Sequence, residues 1–240
     1  MKPMSIFQSI YKKLDDSKAV YGTTRIEQNS IFPDARSALI FGLPIPRAVL
    51  RSTKLLHNYW RTANLFYRYL DTLAVEIALI LEEEGFDSLP IFGCFPFQIR
   101  GLYEYAGFVD LIRLAAKCGL GKLSKSSMLI NPEYGTRLIL AGVLTEAELD
   151  EIKREPGNGC PEDCFECIKA CPAKALEPYG IDVEKCIRTQ SFSPLFVHLL
   201  KSENRRLSHN EIEILQHITV VDDHNWYTCI ECTAKCPMNL

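Results

Sequence analysis

Ten cysteines stand in the 240-residue sequence, and eight of them fall into a pattern with a chemical meaning. Cys160, Cys164, Cys167 and Cys171, closed by Pro172, form C-x3-C-x2-C-x3-C-P. Cys229, Cys232 and Cys236, closed by Pro237, echo the second part of that run, and a lone Cys186 lies between them. Eight thiolates are what two 4Fe-4S clusters require, since each cube has four irons and each iron takes one cysteine sulfur. A two-residue gap lets a tight loop turn thiolates onto adjacent corners of one cube. The cysteine before the proline, three residues further on, points away from that cube.

In two-cluster ferredoxins this last cysteine ligates the other cluster. On that pattern Cys160, Cys164, Cys167 and Cys236 are expected to hold one cluster, and Cys171, Cys186, Cys229 and Cys232 the second. Zinc more often takes two separated C-x2-C pairs, or Cys with His. Disulfides need an oxidising compartment, and the N-terminal MKPMSIFQSIYKKLDD reads as a short amphipathic helix, not a signal peptide. The first gap is three residues where two are usual, which loosens the loop at Cys160 without removing a ligand. The remaining Cys94 and Cys118 lie beside apolar segments and read as small buried hydrophobes. His198, His209, His217 and His224 read as surface or core residues, because the eight cysteines complete both cubes.

These cysteines need a scaffold, and the preceding residues read as one. Arg36–Ile45, RSALIFGLPI, is expected to be a buried strand ending at a proline turn. A long helix should run from about Val49 to Glu84, with Tyr59, Ala63, Phe66, Leu70, Leu73, Ile77 and Leu81 on one face. Gly85 suits the left-handed position just past its end. Leu89–Phe95 reads as a second buried strand, FVDLIRLAAKC as a helix closed by Gly119, and Met128–Ile130 and TRLILAGVLT as two more strands. This alternation predicts a mixed α/β sandwich over residues 1–155, followed by a Cys- and Pro-rich module over 156–240, with the boundary near Glu155–Gly159. Within that module SPLFVHLLK and HNEIEILQHI read as two inserted helices.

Hydrophobic content of 47%, charged content of 24% and a formal net charge of −3 are ordinary globular values. There is no Lys/Arg block to mark a nucleic-acid footprint, and no apolar run reaches the length of a membrane span. The expected setting is the reducing cytoplasm, with no membrane association.

One further stretch carries a resemblance. Gly119-Leu120-Gly121, Lys125, Ser126-Ser127, Leu129-Ile130 and Pro132-Glu133-Tyr134-Gly135, followed by the two cysteine runs, resemble the epoxyqueuosine reductase family, relatives of the reductive dehalogenases. The resemblance implies an α+β protein: a nitroreductase-like α/β sandwich that holds a cobalamin or other cobamide, then a ferredoxin-like domain with two 4Fe-4S clusters that pass electrons to it. Gly119, Leu120, Gly121, Lys125, Ser126 and Ser127 would then form part of the cofactor-binding loop. The strands Ser37–Leu43 and Arg137–Leu144 and the long helix would wall the cavity.

The chain also departs from that family. Lys122 and Ser124 stand where Trp and Gly are common, and no Asp-Tyr-His stretch supplies an acid. The corresponding helix offers His57, Tyr59 and Asn64 instead, so no catalytic residue is assigned. The family's helical-repeat tail does not follow the last cysteine run, which with the pI near 6.0 argues against a modified tRNA base as substrate. The function expected is an iron–sulfur oxidoreductase with a corrinoid, served by a low-potential donor such as ferredoxin or flavodoxin and acting on a small molecule. A flavin-dependent reductase on the same scaffold, and a non-catalytic electron carrier serving a corrinoid protein or another enzyme, are the alternatives.

Overall fold

The computed structural model describes residues 6–27, 31–51, 56–93, 97–100, 104–178, 180–183, 185, 186, 208, 210 and 229–239. In chain order they form α1 (Ile6–Asp16), β1 (Val20–Arg25), β2 (Ser37–Pro44), α2 (Arg47–Arg51), α3 (Leu56–Glu83), β3 (Ser88–Ile91), β4 (Phe97–Arg100), β5 (Glu104–Gly107) and α4 (Leu111–Lys117). There follow β6 (Lys122–Leu123), β7 (Leu129–Ile130), β8 (Leu138–Thr145), α5 (Glu166–Ala170), β9 (Leu176–Glu177), β10 (Gly180–Ile181) and α6 (Glu231–Ala234). The two helices expected between Cys186 and Cys229 fall largely outside the described residues, as does Cys94.

The central sheet has the order β1-β2-β8-β3, every pair antiparallel. Its two inner strands are almost wholly apolar because both of their faces are covered. Leu39, Phe41 and Leu43 of β2 and Ile139, Ala141 and Val143 of β8 face one core, which α3 and α1 complete. The alternate residues Ala38, Ile40, Leu138, Leu140 and Leu144 face a second core, closed by Leu111 and Ala115 of α4 and by Cys118 and Leu120. A period of two on both strands thus produces a helix–sheet–helix sandwich. The fully buried Leu70, Ile77 and Leu81 on α3 each contribute on the order of 1.5–3 kcal/mol of apolar burial.

Of the expected long helix, α2 from Arg47 and α3 from Leu56 are described. Its apolar face is the one expected, with Ala63, Leu70, Leu73, Ile77 and Leu81 buried and Tyr59 and Phe66 packed at its margin. Gly85 follows the helix at φ +86°, and its N–H donates to the Glu82 carbonyl. Strand β1 carries no apolar alternation to announce it. Polar bonds hold it in place: Thr23 Oγ1 donates to the Asp150 carbonyl and accepts from Ile152 N, and Arg154 Nε donates to Tyr21 O. Residues 150–154 are thereby strapped along the sheet edge just ahead of the expected boundary.

Gly119 and Gly121 are required by the fold itself. Gly119 sits at φ +73°, and a Cβ there would run into the Arg154 carbonyl. At Gly121 it would meet the Ile130 carbonyl across the β6–β7 pair. Gly121→Ala is expected to destabilise the protein by roughly 2–4 kcal/mol. At Gly180 an added Cβ meets nothing within 4 Å, so Gly180→Ala should leave the urea midpoint nearly unchanged. Equal midpoints for the two variants would show that the Gly121 contact relaxes at no cost.

Candidate functional site

The two C-x2-C segments share a backbone. In Cys164-Phe165-Glu166-Cys167, Phe165 (φ −131°, ψ 23°) leads into α5. In Cys229-Ile230-Glu231-Cys232, Ile230 (φ −130°, ψ 13°) leads into α6. In each, the apolar residue's carbonyl accepts from the N–H four residues on, Lys169 in one and Ala234 in the other. The partial echo of the sequence is therefore a repeat in three dimensions.

The last run is docked onto the α/β body. Ile230 joins the first core. Asn239 Oδ1 accepts from Thr136 N at 2.7 Å, and its Nδ2 donates to the Thr136 hydroxyl and the Thr233 carbonyl. Gly135, at φ +61°, leaves room for Met238 and Asn239 against its backbone. Among the described residues Asn239 and Thr136 are structural keystones that the sequence pattern alone did not single out. Their signal is only a polar residue at a turn.

Of the eight thiols, Cys167, Cys229, Cys232 and Cys236 are shifted, and other cysteines contribute to each shift. Burial raises the Cys167 thiol above its ordinary value, Cys160 adds to this, and Cys236 and Cys164 add further, against a lowering backbone hydrogen bond from Ile168. Burial also raises Cys236; Cys160 and Cys164 add to that shift, while the Met238 backbone and the Thr136 hydroxyl oppose it. In the other expected set, burial raises Cys229, with Glu231 and Cys171 adding and a backbone bond opposing. Cys232 is pushed up to about 11, chiefly by burial, with Cys229 and Cys186 adding. Cys160, Cys164 and Cys236 thus act on Cys167, Cys171 acts on Cys229, and Cys229 and Cys186 act on Cys232. Among the described residues no three His, Cys, Asp or Glu are gathered as the ligands of a single metal ion would be. Cys118, in the second core, is fully buried, and burial pushes its thiol up to about 12.

Beside the first set lies a cavity of about 1140 Å³. Its walls are β3 with Phe92 and Gly93, the segment Gly107–Arg113, the β6–β7 hairpin, Gly159 and Cys160, and Pro178 and Gly180. Strands β2 and β8 are not among them; both are consumed by the cores, and the edge strand β3 takes that place. Of the six loop residues singled out in the sequence, Lys125 and Ser127 line the cavity. Gly119, Leu120, Gly121 and Ser126 are buried beneath it, and the clearance at the two glycines is filled by the chain's own carbonyls. The hairpin turn is held by Ser124, whose Oγ accepts from Ser126 N and Met128 N, with Ser127 at φ +60°. Tyr59 packs at the first core, and neither it nor Asn64 reaches the cavity wall; the His57 side chain is outside what is described.

One carboxyl behind this wall was not anticipated. Asp71 of α3 accepts from the N–H of Gly93, a wall residue, at 3.1 Å. Burial pushes its carboxyl up to about 6, against the lowering effect of that bond. The folded protein therefore holds the Asp71 proton more tightly than the unfolded chain, and stability falls as pH rises from about 4 through about 6. Asp71→Asn should stabilise the protein more at pH 8 than at pH 5, by about 1 kcal/mol in urea unfolding. An equal effect at both would mean that the carboxyl ionises normally.

The helix–sheet–helix body with its paired cysteine runs has the fold of the epoxyqueuosine reductases and of the reductive dehalogenases. The structure of epoxyqueuosine reductase from Streptococcus thermophilus matches 98% of this chain and 66% of its own length, with TM-score 0.60 and 17% identity. A reductive dehalogenase described in terms of B12-dependent dehalogenation matches 92% of this chain and 35% of its own length, with TM-score 0.58 and 15% identity. In sequence, the epoxyqueuosine reductase of Gloeobacter violaceus is 34% identical over 140 residues, 58% of this chain and 38% of that protein. The one from a Synechocystis species is 29% identical over 87% of this chain and 64% of its own length. The chain thus spans less than two thirds of these relatives. No protein-family model matches it. Among the described residues no helix is long and apolar enough to cross a membrane.

Proposed function

We propose that the chain is an iron–sulfur oxidoreductase in which Cys160, Cys164, Cys167 and Cys236 hold one 4Fe-4S cluster and Cys171, Cys186, Cys229 and Cys232 the other. One observation carries this reading: cysteines of one run act on thiols of the other, Cys160 and Cys164 on Cys236, and Cys171 on Cys229. A single zinc would draw its thiolates in to about 2.3 Å from one ion, whereas a cube spreads them over four irons.

Cys160 belongs to the first set and also forms part of the cavity wall, which gives electrons a short way from that cluster to whatever the cavity holds. At about 1140 Å³ the cavity exceeds the roughly 300–1,000 Å³ of ordinary small-molecule sites, and a cobamide is the occupant its size favours. Such a cofactor would supply a strong reductant for a small-molecule substrate. The chain's own part is to enclose it, with Phe92, Phe108 and Leu123 as apolar surface and Ser124 and Ser127 as polar anchors. Lys125 and the buried glycines beneath would shape the hairpin. A ferredoxin or flavodoxin is the matching class of donor. The test is the visible spectrum and the iron, sulfide and cobalt content of anaerobically purified protein, before and after cobalamin is added. Absence of both clusters, or stoichiometric zinc, would overturn the reading.

A further inference from the structure

We infer that Lys125 is the positioning residue that seats the Cys160–Cys164 loop and raises the reduction potential of the first cluster, an inference that rests on the cluster reading above. The Lys125 ammonium donates to three main-chain carbonyls of that loop: Pro161 at 2.9 Å, Glu162 at 2.7 Å and Cys164 at 2.9 Å. A lysine ammonium has three donors and no acceptor, so this loop uses all of them. The same Nζ lies 4.2 Å from the centre of the Phe165 ring, and the Lys125 backbone N–H points at Cys160 Sγ at 3.5 Å. Although Lys125 lines the cavity, its charge is directed into the cysteine loop.

The arrangement accounts for the longer first gap. With three residues between Cys160 and Cys164 the loop turns three carbonyls toward one point, and a compact tetrahedral cation suits that point better than a planar guanidinium. The base from which Lys125 reaches is fixed, because Ser124 bonds both Ser126 N and Met128 N across the hairpin. A positive charge and an N–H held beside one thiolate set favour the reduced cluster, since net charge and hydrogen bonds to sulfur set such potentials. The Lys125 contacts all fall on the loop of the first set, so that cluster should respond to its loss more than the second.

The test uses the full chain, purified anaerobically, with iron and sulfide analysis followed by redox titration monitored by electron paramagnetic resonance. Lys125→Gln should retain both clusters and make reduction of the first at least tenfold less favourable, which is about 59 mV for one electron. The second cluster should move less than twofold, and Lys125→Arg should recover most of the potential. Selective loss of the first cluster's iron in Lys125→Gln, with retention in Lys125→Arg, would equally support the seating role. Unchanged potentials at full iron content, or both clusters shifting or lost together, would overturn it. Fewer than eight irons in the unsubstituted protein would sink the cluster reading itself, and this inference with it.

Discussion

Cys236→Ser is expected to strip or convert the cluster bound by the distant Cys160 run while leaving the cluster of its near neighbours Cys229 and Cys232 intact. Unsubstituted protein should contain close to eight irons and eight sulfides, and the variant about half of the iron, or a first cluster with an altered resonance signal. The reason is geometric. Cys236 follows α6, yet Cys160 and Cys164 act on its thiol, while Cys171, which follows α5, acts on that of Cys229. Perturbation confined to the Cys229/Cys232 cluster would show that ligation is local to each run. The variant should also loosen the chain's end, because binding free energy at a site that is not preformed is folding free energy. Here that end is additionally held by Asn239 on Thr136. Limited proteolysis of iron-chelated protein should therefore cut first beyond about residue 157, with the sandwich resisting.

What could be read in advance follows the physics of each element. Strands β2 and β8 were legible because burial on both faces demands unbroken apolar runs, and α3 because seven apolar residues kept one phase. Strand β1 was not, since Thr23 is buried through bonds to Asp150 and Ile152 that lie far away in sequence. The crossed thiol sets are proposed from spacing, because cluster chemistry constrains spacing more tightly than packing does. The loop Gly119–Ser127 was found by pattern, but its roles were not. A glycine that admits a ligand and a glycine that admits the chain's own carbonyl look alike in sequence, and Gly119 and Gly121 are of the second kind. Lys125 was likewise visible as a residue, but its three carbonyl partners depend on how a loop 35 residues away is folded. Asp71 gave little notice, being one acidic residue beside an apolar stripe.

Filling the cavity from Gly180 should abolish uptake of its large occupant without touching either cluster. Gly180 lines the cavity, and a Cβ there meets nothing within 4 Å, so Gly180→Trp can project its ring into the space at little cost to folding. Gly121→Leu would be the wrong instrument, because it strikes the Ile130 carbonyl and breaks the hairpin before it obstructs anything. Reconstituted protein titrated with cobalamin under reducing conditions should bind it in the micromolar range or tighter, and Gly180→Trp should weaken that binding at least a hundredfold, about 2.7 kcal/mol. Iron and sulfide should stay at the unsubstituted level in the variant. Tight flavin binding with no cobalamin binding would assign the cavity to a flavin, and Gly180→Trp should then block that ligand instead. Failure of the unsubstituted protein to bind either would leave an electron carrier whose first domain serves to dock its partner.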